Sequence, residues 1–298
     1  MDRPVAPGHF SGPLNRHGDG AFTVSVGGIA VQFSGLSEAL LPAAQERYSP
    51  FLSDEPPLHT VVLYDGPEHY LDMAEDGFMR VEERDFPEGR IMVSHDFAAF
   101  WPAGASAGTL RVSVAFPLSK VLSAMENYLR WCVADLAIER GGFVLHSAGL
   151  VLEGKAYVFF GHSGAGKSTA TTLSLEGRGA LALSDDLVLL LREGDRFLAA
   201  ATPFQGSMAQ RVKEKGLCPL AGLFHLRQSA EVGTLPLARA AAVGMLLSCC
   251  PFVADPGRRS EYLLPIVEDL CRAVPVRELL FRKDPSFWDV VLKREDQP

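Results

Sequence analysis

The stretch Gly161-His162-Ser163-Gly164-Ala165-Gly166-Lys167-Ser168 constrains this 298-residue chain more than any other. It follows the Gly-x-x-x-x-Gly-Lys-Ser pattern of a phosphate-binding loop. The apolar run Ala156-Tyr157-Val158-Phe159-Phe160 precedes it, and Thr169, Ala170 and Leu173 follow at a spacing that opens a helix. Strand, glycine loop and helix together are the context that gives the pattern its meaning. Glycines let the backbone turn tightly and aim its N–H groups inward. Those groups, with the positive end of the helix dipole, attract phosphate oxygens. Lys167 is expected to reach the β and γ phosphates, and the Ser168 hydroxyl to ligate Mg²⁺. The expected ligand is ATP with Mg²⁺, held by Gly161, His162, Ser163, Gly164, Ala165, Gly166, Lys167, Ser168 and Thr169. His162 stands at a variable position of the loop and reads as solvent-exposed.

Around this loop the hydrophobic periodicity predicts two regions. Residues 1–20 are rich in Pro and Gly and read as a flexible arm. Residues 21–117 carry short β-like runs at 21–33, 60–64, 90–93 and 109–116, separated by turn signals such as Asp65-Gly66. Residues 119–140 read as a helix, with Val121, Met125, Leu129, Cys132 and Leu136 in one apolar stripe and Gly141-Gly142 at its end. Residues 21–140 are thus expected to form a β-rich accessory domain closed by a connecting helix. From residue 141 to 298 strands and helices alternate. Strands are expected at 143–152, 155–160, 180–184 and 276–282, with an extended run at 187–191. Helices are expected at 167–175, 234–250, 261–273 and 287–292.

Composition excludes some functions. The formal net charge of −8 argues against broad nucleic-acid binding, which needs basic surface to replace phosphate counterions. The longest apolar stretch, residues 240–254, is shorter than the ~20 residues needed to span a bilayer and contains Pro251. It reads as a buried helix. The first residues lack the apolar core of a signal peptide, so a cytoplasmic protein without a membrane partner is expected. Five cysteines, none in a Cys-x-x-Cys pair, read as buried reduced thiols.

Ser184-Asp185-Asp186 ends the strand after the loop's helix. Ligands of open α/β sheets gather at the carboxyl ends of strands, which puts both carboxylates on the phosphate side. Phosphoryl transfer needs a carboxylate for Mg²⁺ and another to accept the proton of an attacking hydroxyl. A metal ligand beside a turn-capping Asp is the simpler alternative. Only eighteen residues separate Lys167 from Asp185.

With this spacing the chain resembles the HPr kinase/phosphorylase family, and more closely its HPr-kinase-like relatives. The resemblance rests on Leu145-His146-Ser147, on the glycine loop, on Gly177-Arg178-Gly179 and on Leu183-Ser184-Asp185-Asp186. It covers residues 143–191 well and 202–291 loosely. It implies a P-loop kinase core related to phosphoenolpyruvate carboxykinase, preceded here by the β-rich domain. It also implies Asp185 as general base, Asp186 as metal ligand and His146 as a residue near the phosphates, with Lys167 offsetting charge that develops in transfer. A homo-oligomer is compatible with it. A lone His at a strand start is otherwise more often structural.

The chain departs from the pattern after the aspartates. The Glu-x-Arg-Gly element of family members that phosphorylate HPr has no match. Thr202-Pro203-Phe204-Gln205-Gly206 stands there instead, followed by Arg211, Lys213 and Lys215. This stretch reads either as an acceptor-site lining or as a plain turn, and the three basic residues as a phosphate clamp or a solvated face. The resulting expectation is an ATP-dependent kinase acting on a Ser or Thr hydroxyl of a small protein or peptide. The alternatives are a kinase of serine, a sugar or another metabolite, and a non-catalytic ATP-binding regulator.

Overall fold

The computed structural model describes residues 5–72, 80–204, 216–252, 257 and 259–292. The chain is mixed α/β with two sheets, and it divides into two compact units, Met1–Cys132 and Val133–Pro298.

The first unit holds a seven-stranded sheet. Its strands are β1 (Gly20–Val26), β2 (Ile29–Leu36), β3 (His59–Tyr64), β4 (Val81–Phe86), β5 (Gly89–Ser94), β6 (Phe97–Pro102) and β7 (Ala107–Val112), in the order β1-β2-β3-β7-β6-β5-β4. β2–β3 and β3–β7 are parallel and the other pairs antiparallel. Helix α1 (Leu40–Tyr48) turns Leu40, Ala44 and Tyr48 inward at helical spacing. Helix α2 (Leu118–Glu139) contains the unit boundary. The predicted stripe from Val121 to Leu136 is buried, but so are Tyr128, Trp131, Val133 and Ala137, so the helix is apolar nearly all round, as a core helix is.

Two expectations are corrected in this unit. From Val5 onward the arm is packed: Val5 is buried in a cluster with Tyr70, Ile91, Val93 and Ala98, and Phe10 stacks on Phe100. The β-like pattern also missed α1, β4 and β6. β4 has no fully buried residue, so it carries no alternation for periodicity to detect.

Buried polar groups brace α2. Glu126 lies between the guanidiniums of Arg47 and Arg130, and its contact with Arg47 raises the arginine pKa against the opposing effect of burial. Glu126→Gln leaves two half-buried cations without their anion and is expected to cost about 2–4 kcal/mol, read as a lower urea midpoint. His59 bonds the Tyr128 hydroxyl at 2.7 Å, and burial pushes its pKa from 6.5 down to about 4. The folded pKa lies below the unfolded one, so as pH falls the unfolded chain takes up the proton first. The stability contributed by neutral His59 is complete above 6.5 and is lost toward 4. Between pH 7 and pH 5 the chain should lose about 2 kcal/mol that a His59→Gln variant does not lose, measured by urea unfolding at both pH values.

The second unit is built on β8 (Phe143–Leu152) and β9 (Lys155–Phe160), a hairpin whose Glu153 and Gly154 both take positive φ. Helix α3 (Lys167–Arg178) follows, ending at Gly179, whose φ is 65°. Then come β10 (Leu181–Ser184), β11 (Leu187–Glu193), β12 (Arg196–Ala200), β13 (Leu217–Gln228), β14 (Gly233–Pro236), α4 (Arg239–Ser248), α5 (Leu264–Ala273), β15 (Val276–Phe281) and α6 (Phe287–Leu292). β8 pairs with β9 on one edge and with β10 and β11 on the other, β11 with β12, and β12 with β13. β13 returns to β9, closing a ring of strands, and its far half pairs with β15. The β9, β13 and β15 trio is parallel.

The helix expected at 234–250 is half right. Gly233–Pro236 is a strand on β15, and the helix starts at Arg239, because Pro236 cannot donate within a helix. Only one face of α4, with Ala242, Val243 and Leu246, is buried, so the buried-helix reading holds for that face alone. Residues 253 and 254 of that stretch lie outside the described residues. Of the five cysteines, Cys132 and Cys250 are buried and the other three partly exposed. Among the described residues no helix is long and apolar enough to cross a membrane.

Candidate functional site

The site begins at one row of β8. Ser147 pairs with Phe160, the last residue of β9. On the opposite edge its N–H donates to the Asp186 carbonyl at 3.0 Å. β10 and β11 keep a single antiparallel register against β8, from Leu181 opposite Val151 to Leu190 opposite Phe143, with an irregularity between Ala182 and Ser184. The two aspartates therefore cross β8 where β9 gives way to the glycine loop. The Ser184 hydroxyl accepts from the Asp186 and Leu187 N–H groups at 3.2 and 3.1 Å and fixes the bend between them. Asp185 is buried and Asp186 half-buried.

β9 ends at Phe160, so the next β8 residue on that edge, His146, has no strand beside it. Its N–H donates instead to the Cys249 carbonyl just after α4, at 2.8 Å. The His146 ring is half-exposed, with Nε2 3.6 Å from Asp186 Oδ1.

The loop itself depends on glycine. Gly164 and Gly166 have φ of 81° and 113°, where side-chain-bearing residues are strained. A Cβ on Gly166 would stand 2.9 Å from the Phe281 ring, whereas one on Gly164 would meet open space. Ala165 between them is buried in the aromatic core with Phe159, Phe281, Phe287 and Trp288. Gln228, at the end of β13, donates to the Gly164 carbonyl at 2.7 Å. Gly166 starts α3 without a side-chain cap, so no capping side chain competes for the first-turn N–H groups of the helix.

Lys167 is buried and donates to the Gly161 and His162 carbonyls at 2.8 and 3.3 Å. Burial lowers its pKa, and the Asp186 carboxylate opposes that shift. Below Gly161 lies His225 on β13, 3.8 Å from Glu278, which also meets Arg227 at 3.2 Å. Burial lowers the His225 pKa, Glu278 opposes that, and His162 adds to it.

A cavity of about 390 Å³ unites these groups. His146, Ser163, Gly164, Gly166, Lys167, Ser168, Thr169, Asp185 and Asp186 line it, together with Gln228 and Lys283. Gly161, His162 and Ala165 do not: Ala165 faces the core and His162 is exposed. Arg178, from the third motif of the resemblance, pairs with Asp289 of α6 instead of lining the cavity. Thr202–Phe204 are buried, while the rest of that stretch, with Arg211, Lys213 and Lys215, lies outside the described residues. Sequence reasoning missed Gln228 and Lys283. They follow the parallel strands β13 and β15 as the loop follows β9, so recognising those strands as parallel neighbours would have flagged them. A larger cavity of about 470 Å³, lined by Tyr157, Pro219 and Phe224 among others, lies around the opposite ends of these strands, away from the loop.

No protein-family model matches the chain, and neither does any curated protein. Among solved structures, the HPr(Ser) kinase/phosphatase from Coxiella burnetii matches 51% of this chain and 95% of its own, at 11% identity and a TM-score of 0.30. A superposition that loose carries no argument about this chain.

Gly166→Ala adds a ring clash to the backbone strain that Gly164→Ala meets alone. Gly166→Ala should cost about 2–4 kcal/mol and Gly164→Ala about 1–2 kcal/mol, ranked by chemical denaturation of the two variants.

Proposed function

We propose that the chain is an ATP-dependent phosphotransferase that moves the γ-phosphoryl group to a hydroxyl. The observation that carries this reading is the single cavity lined by Gly164, Gly166, Lys167, Ser168, Asp185 and Asp186. It combines a glycine loop at the start of a helix, two lysines and two carboxylates, which are parts that phosphoryl transfer uses.

The residues fit the roles chemically. The loop and the first turn of α3 would receive phosphate oxygens. An ammonium has three donors. Lys167 places two of them on loop carbonyls, so it is held at the loop and needs only to exchange or share those bonds to meet a phosphate. Ser168 and Asp186 offer hard oxygen ligands, which suit Mg²⁺. Bound there, Mg²⁺ would neutralise charge between the β and γ phosphates. Asp185, more buried than its neighbour, would take the proton of the acceptor hydroxyl. His146 would hold Asp186 from behind through its 3.6 Å contact. That the acceptor is a Ser or Thr of a small protein or peptide rests on the resemblance of residues 143–191 alone.

Transfer from γ-labelled ATP to candidate peptides tests the reading. Asp185→Asn should lower transfer by about 10²–10⁴ while leaving ATP affinity within a few-fold, measured by calorimetry. Lys167→Ala should weaken ATP binding itself by at least tenfold. Full transfer by Asp185→Asn would overturn its role. Tight ATP binding without transfer to any peptide, serine or sugar would favour a nucleotide-binding regulator.

A further inference from the structure

A second cluster of donor groups lies in the N-terminal unit, apart from the glycine loop. The two residues between β5 and β6 are His95 and Asp96. The preceding segment 69–71 is tied to this turn from inside: Tyr70 is buried in the core with Ile91 and Val93, and its N–H donates to the His95 carbonyl at 2.9 Å. Its neighbours His69 and Leu71 are thereby brought against the turn. The His69 and His95 rings lie 4.5 Å apart, and one ligand atom each from His69, His95 and Asp96 fall within 4.8 Å of one another.

The tautomer of His95 decides what this cluster can do. Nδ1 lies against the Leu71 carbonyl. A carbonyl only accepts, so Nδ1 carries the proton, and the neutral ring keeps its lone pair on Nε2. That lone pair faces Asp96 Oδ1 at 3.8 Å. A cation can be shared between two such atoms. In the structure Lys120 supplies one from the side, its ammonium 3.2 Å from the same Oδ1 while resting on the Phe116 ring. The Lys120 side chain is 44% exposed, and so exposed an ion pair is readily displaced.

We propose that His69, His95 and Asp96 form a binding site for a divalent transition-metal ion of the zinc type. Two imidazoles and a carboxylate are the ligands such an ion takes, and three protein ligands leave a coordination position for water. Donation from the other ring nitrogen to a backbone carbonyl is the outer-shell arrangement that orients metal-binding histidines. Zinc–ligand bonds of ~2.0–2.2 Å require the three atoms to draw in modestly, which the exposed His69 ring can do by rotating about its side-chain bonds. Binding would displace Lys120 and staple segment 69–71 to the β5–β6 turn.

Calorimetric titration of the full chain with Zn²⁺, after removal of any affinity tag, tests this. One equivalent should bind to the site in the unmodified chain. His69→Ala, at an exposed position outside the core, and Asp96→Asn, which keeps the shape of the side chain, should each weaken that equivalent by at least about 10-fold, the smallest loss typical of even an outer-shell partner. Lys120→Ala should tighten it by removing the competing ammonium. Far-UV circular dichroism establishes that each variant is folded. Absence of the equivalent in the unmodified chain, or its retention at full affinity in both His69→Ala and Asp96→Asn, overturns the proposal.

Discussion

The candidate site depends on the two edges of β8. One edge holds β9, and the other holds β10 and β11 in one continuous ladder. At Ser147 the two meet, with Phe160 on one side and the Asp186 carbonyl on the other. Backbone hydrogen bonds thus set how far the glycine loop stands from the aspartates, before any side chain contributes. The end of β9 creates a further need. His146 requires an acceptor where the neighbouring strand has stopped, and Cys249 supplies it. Buried backbone donors are rarely left unpaired, so this bond draws the end of α4 to the mouth of the site.

The parts of this arrangement that were legible in the sequence are local ones. The β8–β9 hairpin, the glycine loop, α3 and the Asp185-Asp186 bend all form between residues near in sequence, where alternation, helical spacing and turn residues carry the signal. β13 was not legible, although it supplies Gln228 and underlies the loop with His225. It contains Pro219 and Gly222, which read as breakers. Pro219 is tolerated opposite Leu198, and Gly222 stands where the pairing with β9 shifts register. Two of its three partners, β9 and β15, lie far away along the chain and pair with it in parallel. Parallel pairing across such distances leaves no local trace, and the positions of Gln228 and Lys283 were lost with it.

The N-terminal unit shows the same limit from the other side. Its strands alternate well wherever one face is buried, as in β3. Its polar interior does not follow from pattern. Glu126 belongs by spacing to an ordinary charged helix position, yet it sits between Arg47 and Arg130. His59 begins a strand and is buried against Tyr128 and Trp101. Such groups are specified by partners from other elements. Val5 is the same case: a Pro- and Gly-rich flank says nothing about one apolar residue that finds a hydrophobic cluster.

The loop's shape is supported from beneath by groups that need no ligand. Ala165 is fixed in the core, Phe281 packs against Gly166, Gln228 holds the Gly164 carbonyl, and Lys167 holds Gly161 and His162. A loop held in its working shape spends little of a ligand's binding energy on ordering itself. Lys167 is the exception, because its ammonium must exchange carbonyl oxygens for phosphate oxygens. Burial makes that charge costly to keep, and the two carbonyl dipoles together with the Asp186 carboxylate offset part of the cost. A phosphate offers a full negative charge at the same place. With phosphate as the proposed ligand, that exchange would favour binding, and the buried lysine would make a loop shaped for phosphate electrostatically complementary to it as well.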